Sequence, residues 1–195
     1  MSDYTLRAAL PQDLPGARSV MLDTFYRDLG YGYLPEHHDD VVDPARAYLC
    51  HPRQRLWVAV LGAEVVATTA IRARGPRTPP HPAWLAARYP DHSTAQLFRV
   101  YVRPEHRRHR LATELVTRAV EFVRVTPAYQ RLYLHTDASV PGALEFWKSL
   151  GTVVHDDREP GRRFQTVHLE IPLGRSERGR LGGGSADGER GSSGQ

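Results

Sequence analysis

The chain has a single cysteine, Cys50, so it holds no intramolecular disulfide and offers no cysteine cluster for zinc. It has no apolar run of membrane-spanning length, and its start, MSDYTLRAAL, lacks the basic-then-apolar order of a secretory signal. A cytoplasmic protein without a membrane partner is the expectation. No internal repeat is present. Charge of one sign is also scarce. The net charge is +4 over 195 residues, and the tail from Gly174 carries one of those surplus charges, leaving about three on a body where acids and bases are interspersed. So small a surplus suits a phosphorylated small ligand as well as a polynucleotide. What is plentiful is core material. Hydrophobic residues make up 41% and charged residues 25%, enough for one domain that needs no disulfide or metal to hold it.

Hydrophobic spacing orders the elements. Tyr4 to Ala8 reads as a strand, and Pro11 to Leu14 turns into a helix marked by Ala17, Val20, Met21, Thr24 and Phe25. Leu29 to Asp40 is glycine, aromatic and polar, hence loop; Asp43-Pro44 caps a short helix to Leu49. Leu56–Leu61 and Val65–Ile71 around Gly62-Ala63-Glu64 predict a hairpin of buried strands. Gly75 to Asp91, with five prolines, is a loop insertion that has room for one helical turn at Trp84–Tyr89. A strand over Gln96–Val102 leads through Arg103-Pro104-Glu105 into a helix marked by Leu111, Leu115, Ala119, Phe122 and Val123. A strand at Leu132–Thr136, a helix from Pro141 to Leu150 and a closing hairpin at Val153-Val154 and Thr166–Ile171 follow. Residues 1–173 form the domain, and 174–195, rich in glycine, serine and charge, are expected to be disordered.

The most informative stretch is Val100-Tyr-Val-Arg-Pro-Glu-His-Arg-Arg-His-Arg-Leu-Ala-Thr. A strand ends at a proline, a basic loop follows, and an amphipathic helix starts at once. Unpaired amides and the positive dipole end make such a helix start a phosphate site, and arginines add charge-assisted contacts. A merely solvated basic helix start is the plainer alternative, and nucleic-acid binding through Arg103 to Arg110 is a third.

The order of elements, with Phe98-Arg-Val-Tyr-Val-Arg-Pro-Glu-His-Arg and Ala143-Leu-Glu-Phe-Trp-Lys-Ser-Leu-Gly in sequence, resembles the GNAT superfamily of N-acetyltransferases over Tyr4 to Leu173. The resemblance implies an α/β fold, a mixed, mostly antiparallel central sheet flanked by helices, and acetyl-CoA as co-substrate. It implies that backbone groups of Val100, Tyr101 and Val102 hold the acyl and pantetheine amides. It places the pyrophosphate loop on Arg107, Arg108, His109, Arg110, Leu111 and Ala112, with Thr113 next. The chain departs from the pattern at four points. Arg110 stands where glycine is usual, Trp147 where many members have a tyrosine acid, Val140 in place of a cofactor-contacting asparagine, and Gln96 where some have a glutamate base. Indole is a donor that does not titrate usefully, and an amide is no base.

His135, late on the strand where some relatives carry a catalytic glutamate, is one candidate base. A structural histidine beside Thr136 and Asp137 is the alternative. His37 and His38, with Glu36, Asp39 and Asp40, form a second candidate group in the loop that shapes the acceptor site in this family, and their charge would attract a cationic amine. No metal site is expected, because adjacent residues on one loop rarely meet at one ion without distant partners. Tyr31, Tyr33, Glu36 and Trp84 are the candidate acceptor-binding residues. Tyr133 offers a hydroxyl whose face the alternation leaves open. The implied activity is acetyl transfer to a primary amine of a small molecule. An N-terminal or lysine acceptor on a protein, or a non-catalytic acyl-CoA-binding module, remains an alternative; members of the family dimerise in various ways, so a homodimer is compatible.

Overall fold

The computed structural model describes residues 3–174; the tail expected to be disordered lies, beyond Gly174, outside the described residues. A seven-stranded sheet runs in the order β1-β2-β3-β4-β5-β7-β6. Its strands are β1 (Tyr4–Ala8), β2 (Arg55–Leu61), β3 (Glu64–Arg72), β4 (Thr94–Val102), β5 (Arg131–Asp137), β6 (Thr152–Asp157) and β7 (Thr166–Ile171). Every neighbouring pair is antiparallel except β4 and β5. The helices are α1 (Leu14–Asp23), α2 (Asp39–Val42), α3 (Pro44–Tyr48), α4 (Ala83–Arg88), α5 (Leu111–Val125) and α6 (Ala143–Lys148).

Alternation along the strands sends side chains to two faces. On one, α5 buries Leu111, Leu115, Val116, Ala119 and Val123, at helical spacing, against Ala67, Ala95, Leu97, Leu132 and Leu134. Trp147 of α6 joins that core. On the other face, Ala17, Val20 and Met21 of α1 and Tyr48 of α3 pack on Val58, Val65 and Ala70. Farther along this second face the Gly75–Asp91 insertion is more than a loop. Its helix α4 sinks Leu85, and Tyr89 follows it into a small cluster with Tyr133. Gly75 closes the neck of the insertion, since a Cβ there would lie 1.8 Å from the Tyr89 carbonyl oxygen.

Two irregularities shape the site. The first helix ends in a widened turn, with the Leu29 N–H donating to the Thr24 carbonyl at 2.9 Å. In β4, Arg99 takes a left-handed φ of 53°. Pairing passes from Ala70↔Phe98 to Thr68↔Tyr101, so β4 carries one residue more than β3 there, a bulge. The Thr68 hydroxyl donates to the Arg99 carbonyl at 2.7 Å. The Arg99 guanidinium grips Asp40 with two bonds, Nε to Oδ2 at 2.8 Å and Nη2 to Oδ1 at 2.6 Å, and also donates to the His37 carbonyl at 2.9 Å. Tyr48 donates to the same carboxylate. Burial alone would raise the Asp40 pKa, but the bonds and charge of Arg99 hold it below the ordinary carboxylate value.

Asp40 is fully buried and Arg99 nearly so. Asp40→Ala would strand the guanidinium, and the expected cost is about 3–5 kcal/mol, read as a lower urea midpoint. The wild-type pair should add stability in full above the unfolded carboxylate's pKa of about 3.9. That contribution should disappear as pH falls from there through the lower folded value, and acid titration of Asp40→Ala should lack that component.

Candidate functional site

The parallel strands β4 and β5 pair only at Thr94↔Arg131, Ala95↔Leu132 and Gln96↔Tyr133, then part. Beyond that point Val100, Tyr101 and Val102 stand half-exposed in mid-sheet, bonded to β3 on one edge and open toward β5 on the other. The Tyr101 ring turns to the α1 face, edge-on to Phe25 at 5.9 Å. What β4 offers the fork there is backbone.

At the mouth of the fork the chain turns through Pro104–His106 into α5. The first bonded amide is Glu114 N–H, to the Arg110 carbonyl at 3.0 Å, so the amides of Leu111, Ala112 and Thr113 are left open. Arg108 and Arg110 both adopt left-handed backbone, φ 67° and 61°. Arg110 thus holds the conformation for which glycine is favoured, and its exposed side chain points outward. Not every basic residue of the segment is available. Arg103 is held by Asp23 at 2.6 Å and Ser19 at 3.0 Å. Arg107, the first residue of the loop, is held by Asp28 and, at 3.1 Å, by the Val102 carbonyl. His109 leans on Tyr4 at 5.5 Å. Arg108 and Arg110 form no ion pair among the described residues.

Inside the fork, on the second face, lies His135. It is surrounded by protein, yet its ring is solvent-exposed, the signature of a side chain lining a cleft. Its Nδ1 lies 3.2 Å from Gln96 Nε2 and 3.4 Å from the Tyr133 hydroxyl. Gln96 is fixed from its other end by Arg74 Nε at 3.4 Å. The Tyr133 hydroxyl meets His168 Nδ1 at 2.6 Å. That settles its face, with His135 and away from Trp147, so it does not replace the missing tyrosine acid. His81 of the insertion approaches His135 and His168 with ring centroids at 5.2 and 4.9 Å, and His155 stacks on His168 at 5.6 Å.

The protein around His135, His81 and His168 disfavours their charged forms. The surroundings of His135, then His81, His168, Arg74 and Arg99, push its pKa well below the ordinary imidazole value. Burial lowers His81, and burial with its histidine neighbours brings His168 down to about 4. Arg74, half-buried over Phe98, is drawn down to about 10 by burial and by Arg72 and Arg77.

The Leu29–Asp40 loop departs most from expectation. His38 is no candidate base. It is 2% exposed, its ring stacks on Phe25 at 3.8 Å, its Nδ1 accepts from the Leu34 amide at 3.0 Å, and burial brings its pKa down to about 4. Asp39 and Asp40, read as acidic groups that would attract an amine, are neutralised by Arg72 at 3.0 Å and by Arg99. Tyr33 packs on His38, at 5.6 Å, rather than facing the fork. Tyr31 and His37 meet Phe164 of the β6–β7 turn at 5.4 and 6.3 Å. Burial raises the Tyr31 pKa, so it stays a neutral phenol. Glu36 is exposed, and Trp84, 49% exposed, lies edge-on to His155 at 5.2 Å. Sequence reasoning missed His81, His155 and His168. His155–Asp157 and His168–Glu170 have the period of strand faces, but nothing local says that the two strands share one.

Comparisons with known proteins agree with this layout. A sequence model of the acetyltransferase (GNAT) family matches residues 18–152. No curated protein matches the chain. Among solved structures, a GNAT-family acetyltransferase from Staphylococcus aureus Mu50 is similar at 11% identity and TM-score 0.68, covering 88% of this chain and 99% of its own. YncA of Salmonella typhimurium, a putative acetyltransferase solved with acetyl-CoA, is 13% identical at TM-score 0.64, covering 90% and 96%. NAA60 of Arabidopsis thaliana, solved with a bisubstrate analogue, is 17% identical at TM-score 0.62, covering 87% and 97%. At such identities these likenesses speak for the fold alone. The matched span, together with the forked β4–β5 pair and the open start of α5, places the chain in the GNAT acetyltransferase family.

Proposed function

We propose that the protein transfers the acetyl group of acetyl-CoA to a primary amine of a small molecule. The observation that carries the reading is the fork itself. Mid-sheet backbone at Val100–Val102 runs toward the open amides of Leu111, Ala112 and Thr113, and an exposed histidine stands on the far face. The pyrophosphate is held by those amides and by the exposed guanidinium groups of Arg108 and Arg110. The thioester it delivers supplies the electrophilic carbonyl carbon.

The acceptor enters over the second face. Its nitrogen forms a bond to that carbon, the carbon–sulfur bond breaks, and the ammonium proton passes, directly or through water, to the Nδ1 lone pair of His135, displacing the Gln96 N–H accepted there. Gln96 orients the imidazole, since its own amide is fixed between Arg74 and His135. The departing thiolate takes a solvent proton, because Trp147 is in the core and Tyr133 faces the other way. A thiolate is weakly basic, so the missing acid costs little.

Two contacts favour a small acceptor over a protein chain. His81 brings the insertion to within 5.2 Å of His135, and Phe164 meets the Leu29–Asp40 loop at Tyr31. Both flanks of the second face are thereby occupied, whereas an extended peptide needs an open groove.

Acetyl-CoA at about 100 times its dissociation constant should stabilise the protein by about 2.7 kcal/mol in thermal unfolding, with ATP giving no comparable shift. Arg108→Glu should raise the dissociation constant about tenfold or more, since charge-assisted bonds contribute about 1.5–3 kcal/mol; unchanged affinity would remove the loop from the site. His135→Ala should lower kcat about 10²-fold with little change in acetyl-CoA affinity. Binding without turnover on any amine would instead leave an acyl-CoA-binding module.

A further inference from the structure

The insertion brings His81 to a place where the closing hairpin already holds two good ligands. His81, Asp157 and His168 each offer one atom, and all three atoms lie within 4.8 Å of one another. They come from the insertion, β6 and β7, so the meeting is made by the fold and not by neighbouring positions in one loop. His168 adds an independent sign. It is 0% exposed, its Nδ1 is taken by the Tyr133 hydroxyl, and its Nε2 is buried with no hydrogen-bond partner among the described residues. Buried ring nitrogens almost always have a partner. An imidazole whose far nitrogen is held by an oxygen while its near one is bare is prepared as a ligand, because such a second contact fixes tautomer and ring plane.

We propose that His81, Asp157 and His168 bind one divalent d-block cation of the zinc class, with a fourth position left open. Two imidazoles and one carboxylate are donors that suit Zn²⁺, and three protein ligands plus an open position is a common arrangement for it. Metal–ligand bonds of about 2.0–2.2 Å require the three atoms to draw closer than their present spacing. His81 lies on an insertion and Asp157 on the edge strand, so both can move while His168 stays fixed. The hydrogen bonds remain consistent. With Nε2 on the ion, His168 Nδ1–H donates to the Tyr133 oxygen, and the Tyr133 O–H turns to share His135 Nδ1, at 3.4 Å, with the Gln96 amide at 3.2 Å. Competitors for the carboxylate are few. Arg162 reaches Asp157 Oδ2 at 3.3 Å, and His155 Nε2 lies 3.8 Å from Oδ1. The ion ties the insertion to the hairpin and so fixes the roof beside His135. No bond of the acetyl transfer is made through it, and metal binding is testable whether or not the enzymatic reading holds.

The test uses the untagged full chain, stripped with chelator and titrated with Zn²⁺ in a calorimeter, with metal content measured after dialysis. One zinc per chain with a dissociation constant below about 1 µM is expected. His81→Ala and Asp157→Asn should each weaken binding about 100-fold or more, while His51→Ala, at an exposed histidine elsewhere, should not. Both test positions lie outside the cores, and circular dichroism checks that the variants fold. Cobalt substituted for zinc should give the visible bands of a four-coordinate site in the wild type and lose them in Asp157→Asn. Binding weaker than about 10 µM, or binding that His81→Ala and Asp157→Asn leave unchanged, would overturn the assignment and make the zinc an adventitious ion on surface histidines.

Discussion

A single buried ion pair ties the geometry of the fork to its surroundings. Arg99 sits in left-handed backbone in the middle of β4, a conformation that costs a side-chain-bearing residue about 1–2 kcal/mol. The bulge persists because both ends of the residue are held. The Thr68 hydroxyl fixes its carbonyl, and Asp40 takes its guanidinium in a bidentate grip that also orders the His37 carbonyl. The same contact does two jobs. It turns the end of β4 so that Val100–Val102 leave the path of β5, and it draws the Leu29–Asp40 loop down over the Phe25 ring. Without the carboxylate, the loop keeps only the His37 carbonyl as an anchor at Arg99, and the bulge loses its strongest restraint.

Most of the architecture was legible in the sequence, for reasons that differ by element. Helix α5 was readable because its apolar residues keep helical spacing over four turns and Pro127 follows its end. The β2–β3 hairpin was readable because its two apolar runs flank a short glycine-containing turn. The family resemblance pointed to Val100–Val102 and the basic loop after Pro104 as the cofactor side, whereas the parting of β4 from β5 has no mark in the sequence. Nor was the fork's chemistry legible. Arg99 reads as one more arginine in a basic stretch, and its left-handed φ leaves no trace in local composition. Asp39, Asp40 and His38 looked like groups available to an acceptor amine because their partners, Arg72, Arg99 and Phe25, lie in other segments. The histidines at 81, 155 and 168 were missed for the same reason, since the pairing of β5 with β7 and of β7 with β6 brings His168 and His155 beside His135, and the insertion brings His81.

Charge is divided across the fork by what each side must meet. Before the start of α5, Asp23 and Asp28 neutralise Arg103 and Arg107, which are therefore part of the frame. Arg108 and Arg110 have no ion-pair partner among the described residues, and both stand on left-handed backbone. Glycine would give that backbone at less strain and without a charge. The chain thus spends conformational energy where a family pattern with glycine does not, and places two guanidinium groups at the start of a helix whose open amides already favour an anion.

The other side of the fork is built to stay neutral. His135, His81 and His168 lie close enough that protonating one raises the cost of protonating the next, and burial adds to that cost. The nearest cations, Arg74 and Arg99, act in the same direction. An ammonium group entering beside His135 would meet a neutral imidazole and no free carboxylate from the Leu29–Asp40 loop except Glu36, which is exposed. Amine recognition on this face therefore depends on lone pairs and shape more than on long-range attraction. That places the discriminating contacts on the insertion, the element that contributes His81, roofs Tyr133 with Leu85 and Tyr89, and is pinched shut at Gly75. Altering the insertion should change which amine fits while the β4 backbone and the start of α5 stay as they are.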